Sequence, residues 1–269
     1  MAEASTTALA DDLLDAFATG RLTDLPSDGD PGLDEDAAYA IAHVIHERRL
    51  ARGERPVGRK IGFTNRDIWA EYGVDAPIWS YVYDSTVHCA DAGAAELSIG
   101  GLLQPRIEPE IQLHFARTPP ASLDEAAILA CVDWIAQGFE IIQCPYPDWK
   151  FRGVDAIAAC GVHGALAVGT PVHVSDVEDC RRRLRTFTIT AGNGVESVTG
   201  GGANVLGSPV MAFAHLALVL SNQTRFDPVR AGEIVTTGTL TRPVPVAPGE
   251  TWTASLEGID LPGLSITLT

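Results

Sequence analysis

Arg106-Ile107-Glu108-Pro109-Glu110-Ile111-Gln112-Leu113-His114-Phe115 is the stretch on which the fold turns. Ile107, Ile111, Leu113 and Phe115 fall on one face of an extended strand, and Glu108, Glu110, Gln112 and His114 fall on the other. Further short β-type runs follow the same grammar: 57–63, 77–83, 138–144, 165–169, 184–190, 233–239, 251–256 and 264–269. Few helices interrupt them. Ser122 with Glu125 reads as a capping box opening a helix through AAILACVDWIA. Ser208 with Pro209 reads as the start of PVMAFAHLALVLSN. Strands so unevenly separated do not make a repeating βαβ sheet. They predict an α+β fold built on a large mixed or antiparallel sheet.

Residues 1–56 are of a different kind. Leu13, Leu14 and Phe17 form a short apolar stripe, and Ala38, Ile41, Ala42, Ile45 and Leu50 recur at helical spacing after a Pro/Gly/Asp break. The predicted organisation is an N-terminal helical region, 1–56, and one continuous sheet-based core, 57–269. The chain has 269 residues and a net charge of −16, which repels phosphate backbones and anionic membranes. Nucleic acid is excluded as a partner on that ground. The acidic N-terminus lacks the basic segment of a signal peptide, and no 18-residue apolar run is read, so no membrane partner and a cytoplasmic location are expected. The five cysteines are scattered and form no C-x-x-C pair, which argues against a zinc knuckle.

Three carboxylates suggest chemistry. Glu108 and Glu110 share a face, roughly 7 Å apart along the strand, and repel each other unless that face is wet or a cation lies between them. Glu140 sits among apolar neighbours in Gly138-Phe139-Glu140-Ile141-Ile142. It is either exposed on an alternating strand or buried with a partner. Grouped with the other two it gives an all-oxygen site suited to Mg²⁺ or Mn²⁺. Of the 19 basic residues only Lys60 and Lys150 are lysines. Lys60 lies in an apolar strand where desolvation lowers an ammonium pKa, so it is either an acid/base residue or an edge lysine reaching for water. His163, flanked by Gly161 and Gly164, is a candidate proton-transfer residue with a structural alternative. Thr236-Thr237-Gly238-Thr239 reads either as a cradle of hydroxyls and backbone N–H groups for a carboxylate or as an ordinary strand end. Gly200-Gly201-Gly202 lacks a P-loop lysine and reads as a tight turn.

Together, GRKIGFTNRDIWAEYGVDAPIW, RIEPEIQLHFA, GFEIIQCPYPDWKF, NVLGSPVMAFAHLA and AGEIVTTGTLTRPVPVAPGETW resemble, in order, the 2-keto-4-pentenoate hydratase and 4-oxalocrotonate decarboxylase family of the fumarylacetoacetate hydrolase superfamily. The likeness runs from about Ala38 to the C-terminus. It implies a mixed β-roll core and a homo-oligomer. Mg²⁺ or Mn²⁺ would be held by Glu108, Glu110 and Glu140, with Lys60 as the family's lysine and Thr237, Gly238 and Thr239 at the substrate carboxylate. The implied substrate is a small 2-keto acid or its 2-hydroxydienoate enol, of the kind met in aromatic catabolism. The implied reaction is hydration through a metal-bound enolate, with decarboxylation sharing its first half. Acylpyruvate C–C hydrolysis and a catalytically reduced metal-binding homologue are the rivals. Two departures stand out. The family's D-x-x-A-D-N-A-S reads Asp155-Ala156-Ile157-Ala158-Ala159-Cys160-Gly161-Val162, and its P-D-F-G reads Pro77-Ile78-Trp79-Ser80. His163 is the expected substitute for the missing polar pair.

Overall fold

The structure, a computed structural model, describes residues 3–269. Among them a nine-stranded mixed sheet curls around the site, and a second sheet of five strands stands beside it. At the centre of the large sheet the strand Arg106–Phe115 pairs antiparallel with Val132–Ile142 along nearly its whole length, and this register sets Glu108 directly opposite Glu140. On its other edge the same strand pairs with Ile234–Thr236 through residues 112–114 and with Val244–Pro245 through residues 106–107. Between those two short partners the ladder opens. Pro109, with no N–H to donate, stands at that opening, where a strand-interior proline does no damage. Its carbonyl still accepts from Leu240 N.

Both faces of this strand are buried. The face carrying Ile107, Ile111, Leu113 and Phe115 packs into the main core, where the Phe115 ring lies 4.3 Å from that of Phe213 on the helix Pro209–Asn222. Burial of one such ring contributes about 1.5–3 kcal/mol. The helix begins as the sequence indicates, with the Ser208 side chain accepting from Met211 N and Pro209 in its first turn. Residues 202–222 carry no charge, and this segment is apolar enough to match a membrane span, contrary to the reading of the sequence; more than half of it is buried inside the fold, as a core helix requires.

Two long helices, Glu3–Thr19 and Glu35–Ala51, cover one side, their Leu13, Ile41 and Ile45 buried in the same core as the sheet. Asp34 caps the second by accepting from Ala37 N, with Glu35 and Asp36 in its first turn and Arg48 and Arg49 in its last, charges placed to suit the helix dipole.

Two local expectations fail. The helix placed over AAILACVDWIA is only Glu125–Leu129, its N-cap is Asp124 rather than Ser122, and Val132 onward is the long strand. Apolar residues buried on both faces of a strand give no period to tell them from a buried helix. Likewise 184–190 divides into the helix Cys180–Thr186 and the strand Thr188–Gly192. The glycine run is tight packing: a Cβ on Gly202 would lie 1.9 Å from the Leu184 carbonyl oxygen. All five cysteines are free, Cys89 alone being exposed.

Candidate metal and active site

The polar face of the central strand looks into the curl of the large sheet. Side-chain oxygens of Glu108, Glu110 and Glu140 come within 4.8 Å of one another, all three residues buried. The solvated-face reading of Glu108 and Glu110 is thereby excluded. Lys60, on the parallel neighbour of Ile234–Thr236, joins them: its Nζ lies 3.3 Å from Glu140 Oε2 and donates to the Gly161 carbonyl at 2.9 Å. Gly161 is held at a positive φ of 62° between Cys160 and Val162, both at 55°, a left-handed turn unusual for a β-branched residue. Any Cβ at Gly161 would meet the lysine stem at 2.9 Å. The turn therefore needs glycine twice over, for its backbone and for the room it leaves.

Each carboxylate is held differently. Glu110 Oε2 accepts from the Thr236 hydroxyl and, at 2.8 Å, from Gly238 N, while its Oε1 is buried with no hydrogen bond. Glu140 Oε1 takes 2.8 Å from His163 Nδ1. Since an ionised carboxylate only accepts, Nδ1 carries the proton there. Glu140 Oε2, facing Lys60, makes no well-formed hydrogen bond. Orphaned oxygens on adjacent buried carboxylates are what a hard divalent cation would satisfy, and the donor set fits one. Electrostatics agree. Burial pushes the Glu108 carboxyl up to about 8, and burial with the two neighbouring charges holds Glu110 well above its ordinary range. Burial also acts on Glu140, but Lys60 and His163 overcome it and keep that group low. For Lys60 burial alone would lower the pKa, as the sequence suggests, yet the three carboxylates prevail and raise it. Lys60 is an ammonium.

A pH profile follows for metal-free protein. Below pH 4.5 Glu108 and Glu110 are protonated folded and unfolded alike, and they cost nothing. Above 4.5 the unfolded chain ionises first, so the folded state loses about 1.4 kcal/mol per pH unit per group until the folded pKa is passed. Glu140, held low, acts with the opposite sign only below that window. Burial lowers His46, His163 and His215, which act with the opposite sign up to pH 6.5, so thermal melts in chelator should show the midpoint falling from pH 6.5 to pH 8, and saturating Mg²⁺ should flatten the decline. A chelated protein that grows steadily more stable over that range would contradict the burial of Glu108 and Glu110.

Beyond the carboxylates a cavity of about 390 Å³ opens, lined by Lys60, Glu108 and Thr239 at its polar end and by Phe63, Tyr72, Ile142, Trp149 and Phe151 along its walls. The other sequence-chosen residues take different places. His163 does not reach this cavity: buried behind Glu140, it has its Nε2 3.0 Å from Thr86 Oγ1. It contacts Glu140 and Thr86 rather than the cavity that the missing polar pair would have faced. Thr237 is fully buried, and its hydroxyl donates to the Ile111 carbonyl, so only Thr239 of the expected cradle faces the cavity. The Gly238 N–H serves Glu110 instead. Ile78, Ala156 and Val162 present apolar surface in the wall, whereas Trp79 stacks 5.7 Å from Tyr39 in the core. Thr236, expected only as part of the cradle, serves Glu110, and Arg106, which sequence reasoning did not single out, lines the cavity from the alternating face of Glu108.

No family model matches the chain. It is 32% identical over 259 residues to the 2-keto-4-pentenoate hydratase of Paraburkholderia xenovorans, with 93% of this chain and 90% of that protein covered. The chain belongs to the 2-keto-4-pentenoate hydratase family. Another relative is the 2-hydroxyhexa-2,4-dienoate hydratase of Comamonas testosteroni, 29% identical with 95% of each chain covered. Among solved structures, the 4-oxalocrotonate decarboxylase from Pseudomonas putida G7, complexed with magnesium and adipate, superposes with a TM-score of 0.89 at 26% identity over 100% of this chain and 99% of that one. A fumarylpyruvate hydrolase from Pseudomonas aeruginosa, at TM-score 0.62 and 19% identity over 80% of this chain and 89% of that one, shares the fold. The fumarylacetoacetate hydrolase-like α+β architecture is thus shared by this chain and these solved neighbours.

Proposed function

We propose that this protein is a divalent-metal-dependent lyase that hydrates a 2-hydroxy-2,4-dienoate, or its 2-keto-4-enoate tautomer. The observation that carries the reading is the buried triad of Glu108, Glu110 and Glu140 with the Lys60 ammonium among them, opening onto a small, largely apolar cavity. Glu108, Glu110 and Glu140 would hold Mg²⁺ or Mn²⁺, which when bound supplies a Lewis acid to the carboxylate and 2-oxygen of the substrate. Lys60 holds a proton at Nζ and places a positive charge where the 2-oxygen becomes negative as the dienol gives up its hydroxyl proton. The carbon end of the diene takes up a proton in exchange. Water then adds at C4 of the resulting 2-keto-3-ene, and C3 receives the second proton. Phe63, Ile142 and Phe151 keep bulk water from the conjugated chain, and the Thr239 hydroxyl, donating to Thr241 O, lies at the polar end. Glu110 is steadied by Thr236 and Gly238 N, Glu140 by His163.

Two rivals are weaker. Hydrolysis of an acylpyruvate needs a base beside an attacking water, and His163, the expected base, lies behind Glu140. A catalytically reduced homologue would keep the carboxylates and dispense with the Lys60 ammonium held on the Gly161 carbonyl. A homo-oligomer in the cytoplasm goes with the proposed reading.

The test is loss of the dienoate absorbance on adding protein to 2-hydroxypenta-2,4-dienoate, with Mg²⁺ or with chelator. Metal-dependent formation of a 4-hydroxy-2-keto acid supports hydration. Turnover that persists in chelator, or metal-loaded protein inert toward dienoate and acylpyruvate alike, overturns it.

A further inference from the structure

His163 reaches Glu140 through an irregularity in the sheet. The strands Val132–Ile142 and His163–Val168 pair antiparallel, with Glu140 opposite Leu166 and Ile141 opposite Ala165, and the register then slips so that Ile142 faces His163. In an unbroken ladder Gly164 would stand opposite Ile142, and the imidazole would turn to the other face, because side chains alternate along a strand. The slip re-aims it toward the triad. Its ring is then engaged at both nitrogens, Nδ1 at 2.8 Å from Glu140 Oε1 and Nε2 at 3.0 Å from Thr86 Oγ1. Buried and held at both ends, it aims a fixed N–H at one oxygen of Glu140. That leaves an unequal pair of oxygens. Glu140 Oε1 is committed to His163, and Oε2 has no hydrogen bond. Glu110 repeats the pattern, with Oε2 committed to Thr236 and Gly238 N and Oε1 left over. Glu108, which opens on the cavity, makes no hydrogen bond among the described residues. Two of the three carboxylates are therefore anchored by one oxygen and present the other.

We propose that His163 selects the metal: by tying down Glu140 Oε1 it limits this carboxylate to a single donor oxygen, and so favours Mg²⁺ or Mn²⁺ over Ca²⁺. The inference rests on the reading of the triad as a divalent-metal site and names what discriminates among its ions. Small, octahedral Mg²⁺ is served by single carboxylate oxygens and keeps several waters, whereas Ca²⁺ takes about six to eight oxygens and commonly both from one carboxylate. A carboxylate free to turn can meet either demand. One pinned from behind cannot offer its second oxygen without breaking a charge-assisted hydrogen bond. His163 touches neither the cavity nor its contents, so it acts through Glu140 as a positioning residue. An outer partner of this kind fixes the orientation of the ligand that it bonds. Thr86 has a share in the effect, because it holds the far edge of the ring.

The test is calorimetric titration of Mn²⁺ and of Ca²⁺ into chelator-treated wild-type protein, His163→Leu and His163→Asn. Leucine fills the space without a donor, and asparagine keeps an N–H near the position of Nδ1. His163→Leu should weaken Mn²⁺ binding by about 10- to 100-fold, the usual loss on removing an outer partner of a metal ligand. Ca²⁺ gains the freed Oε1, so its binding should fall less or rise, and the Mn²⁺-to-Ca²⁺ affinity ratio should drop by about 10-fold or more. His163→Asn should keep most of the wild-type ratio. A residue that merely supported the fold would weaken both ions alike. A ratio unmoved in His163→Leu, or one that drops as far in His163→Asn, overturns the proposal. Should His163→Leu not fold, Thr86→Val decides: a fall of the ratio in the same direction supports the proposal, and an unchanged ratio overturns it. No substrate enters the experiment, so neither result depends on hydration. Wild-type protein that binds neither ion overturns the metal site and this proposal together, whereas an unmoved ratio in protein that binds both overturns this proposal alone.

Discussion

Glu140→Gln should lower metal-dependent turnover by about 10³-fold or more and weaken Mg²⁺ or Mn²⁺ binding, while the protein still folds. Glu140 is the junction of the site: opposite Glu108 in the sheet register, 2.8 Å from His163 Nδ1 and 3.3 Å from Lys60 Nζ. The amide removes one of three charges available to a divalent ion. It also turns an N–H toward one of two groups that are themselves donors, His163 or Lys60, so no flip of the amide satisfies both. Loss of Lewis-acid assistance is worth several kcal/mol, and each 1.36 kcal/mol is tenfold in rate, which sets the scale of the expected fall. Turnover at saturating dienoate, with Mn²⁺ binding followed by calorimetry, reads both effects. Wild-type turnover at ordinary metal concentration would remove Glu140 from the metal site.

Lys60→Met should give the second large effect, of a different kind. Turnover should fall about 10²- to 10³-fold, the usual range for removing one group that stabilises developing negative charge, whereas metal affinity should hold or rise. The reason is electrostatic: the Lys60 ammonium competes with a metal ion for the same three carboxylates. Lys60→Arg should rescue little. The lysine stem passes against the left-handed Gly161 turn, with no room for a planar fork. Metal affinity and kcat that fell together in Lys60→Met would mean the lysine supports the carboxylates only. An active Lys60→Arg would show that charge alone is required.

How far the site is legible in the sequence depends on whether its geometry is local. Glu108 and Glu110 are read correctly as partners because alternation along one strand is a local rule. Glu140 can be suspected from its apolar neighbours, but its place opposite Glu108 depends on the register of two strands, which no single strand states. The strand carrying it reads in part as helix, since burial on both faces erases the period. At Thr236-Thr237-Gly238-Thr239 the turn is evident, yet which hydroxyl faces the carboxylates is decided by where the strand stops pairing at Gln112, and it is Thr236. His163 is one side chain too deep. It is brought to the triad as expected but stands on the far side of Glu140.

The Lys60 ammonium is tethered by a main-chain carbonyl, that of Gly161, and by no neighbouring side chain's hydroxyl or amide. A backbone tether is indifferent to the side chains around it. Ile78, Ala156 and Val162 line the same cavity without a hydrogen bond to the lysine or the acids. The machinery and the mould of this pocket are therefore written in separate residues, and a lineage, or a directed-evolution library, can re-cut the mould at these three positions while the machinery stays intact.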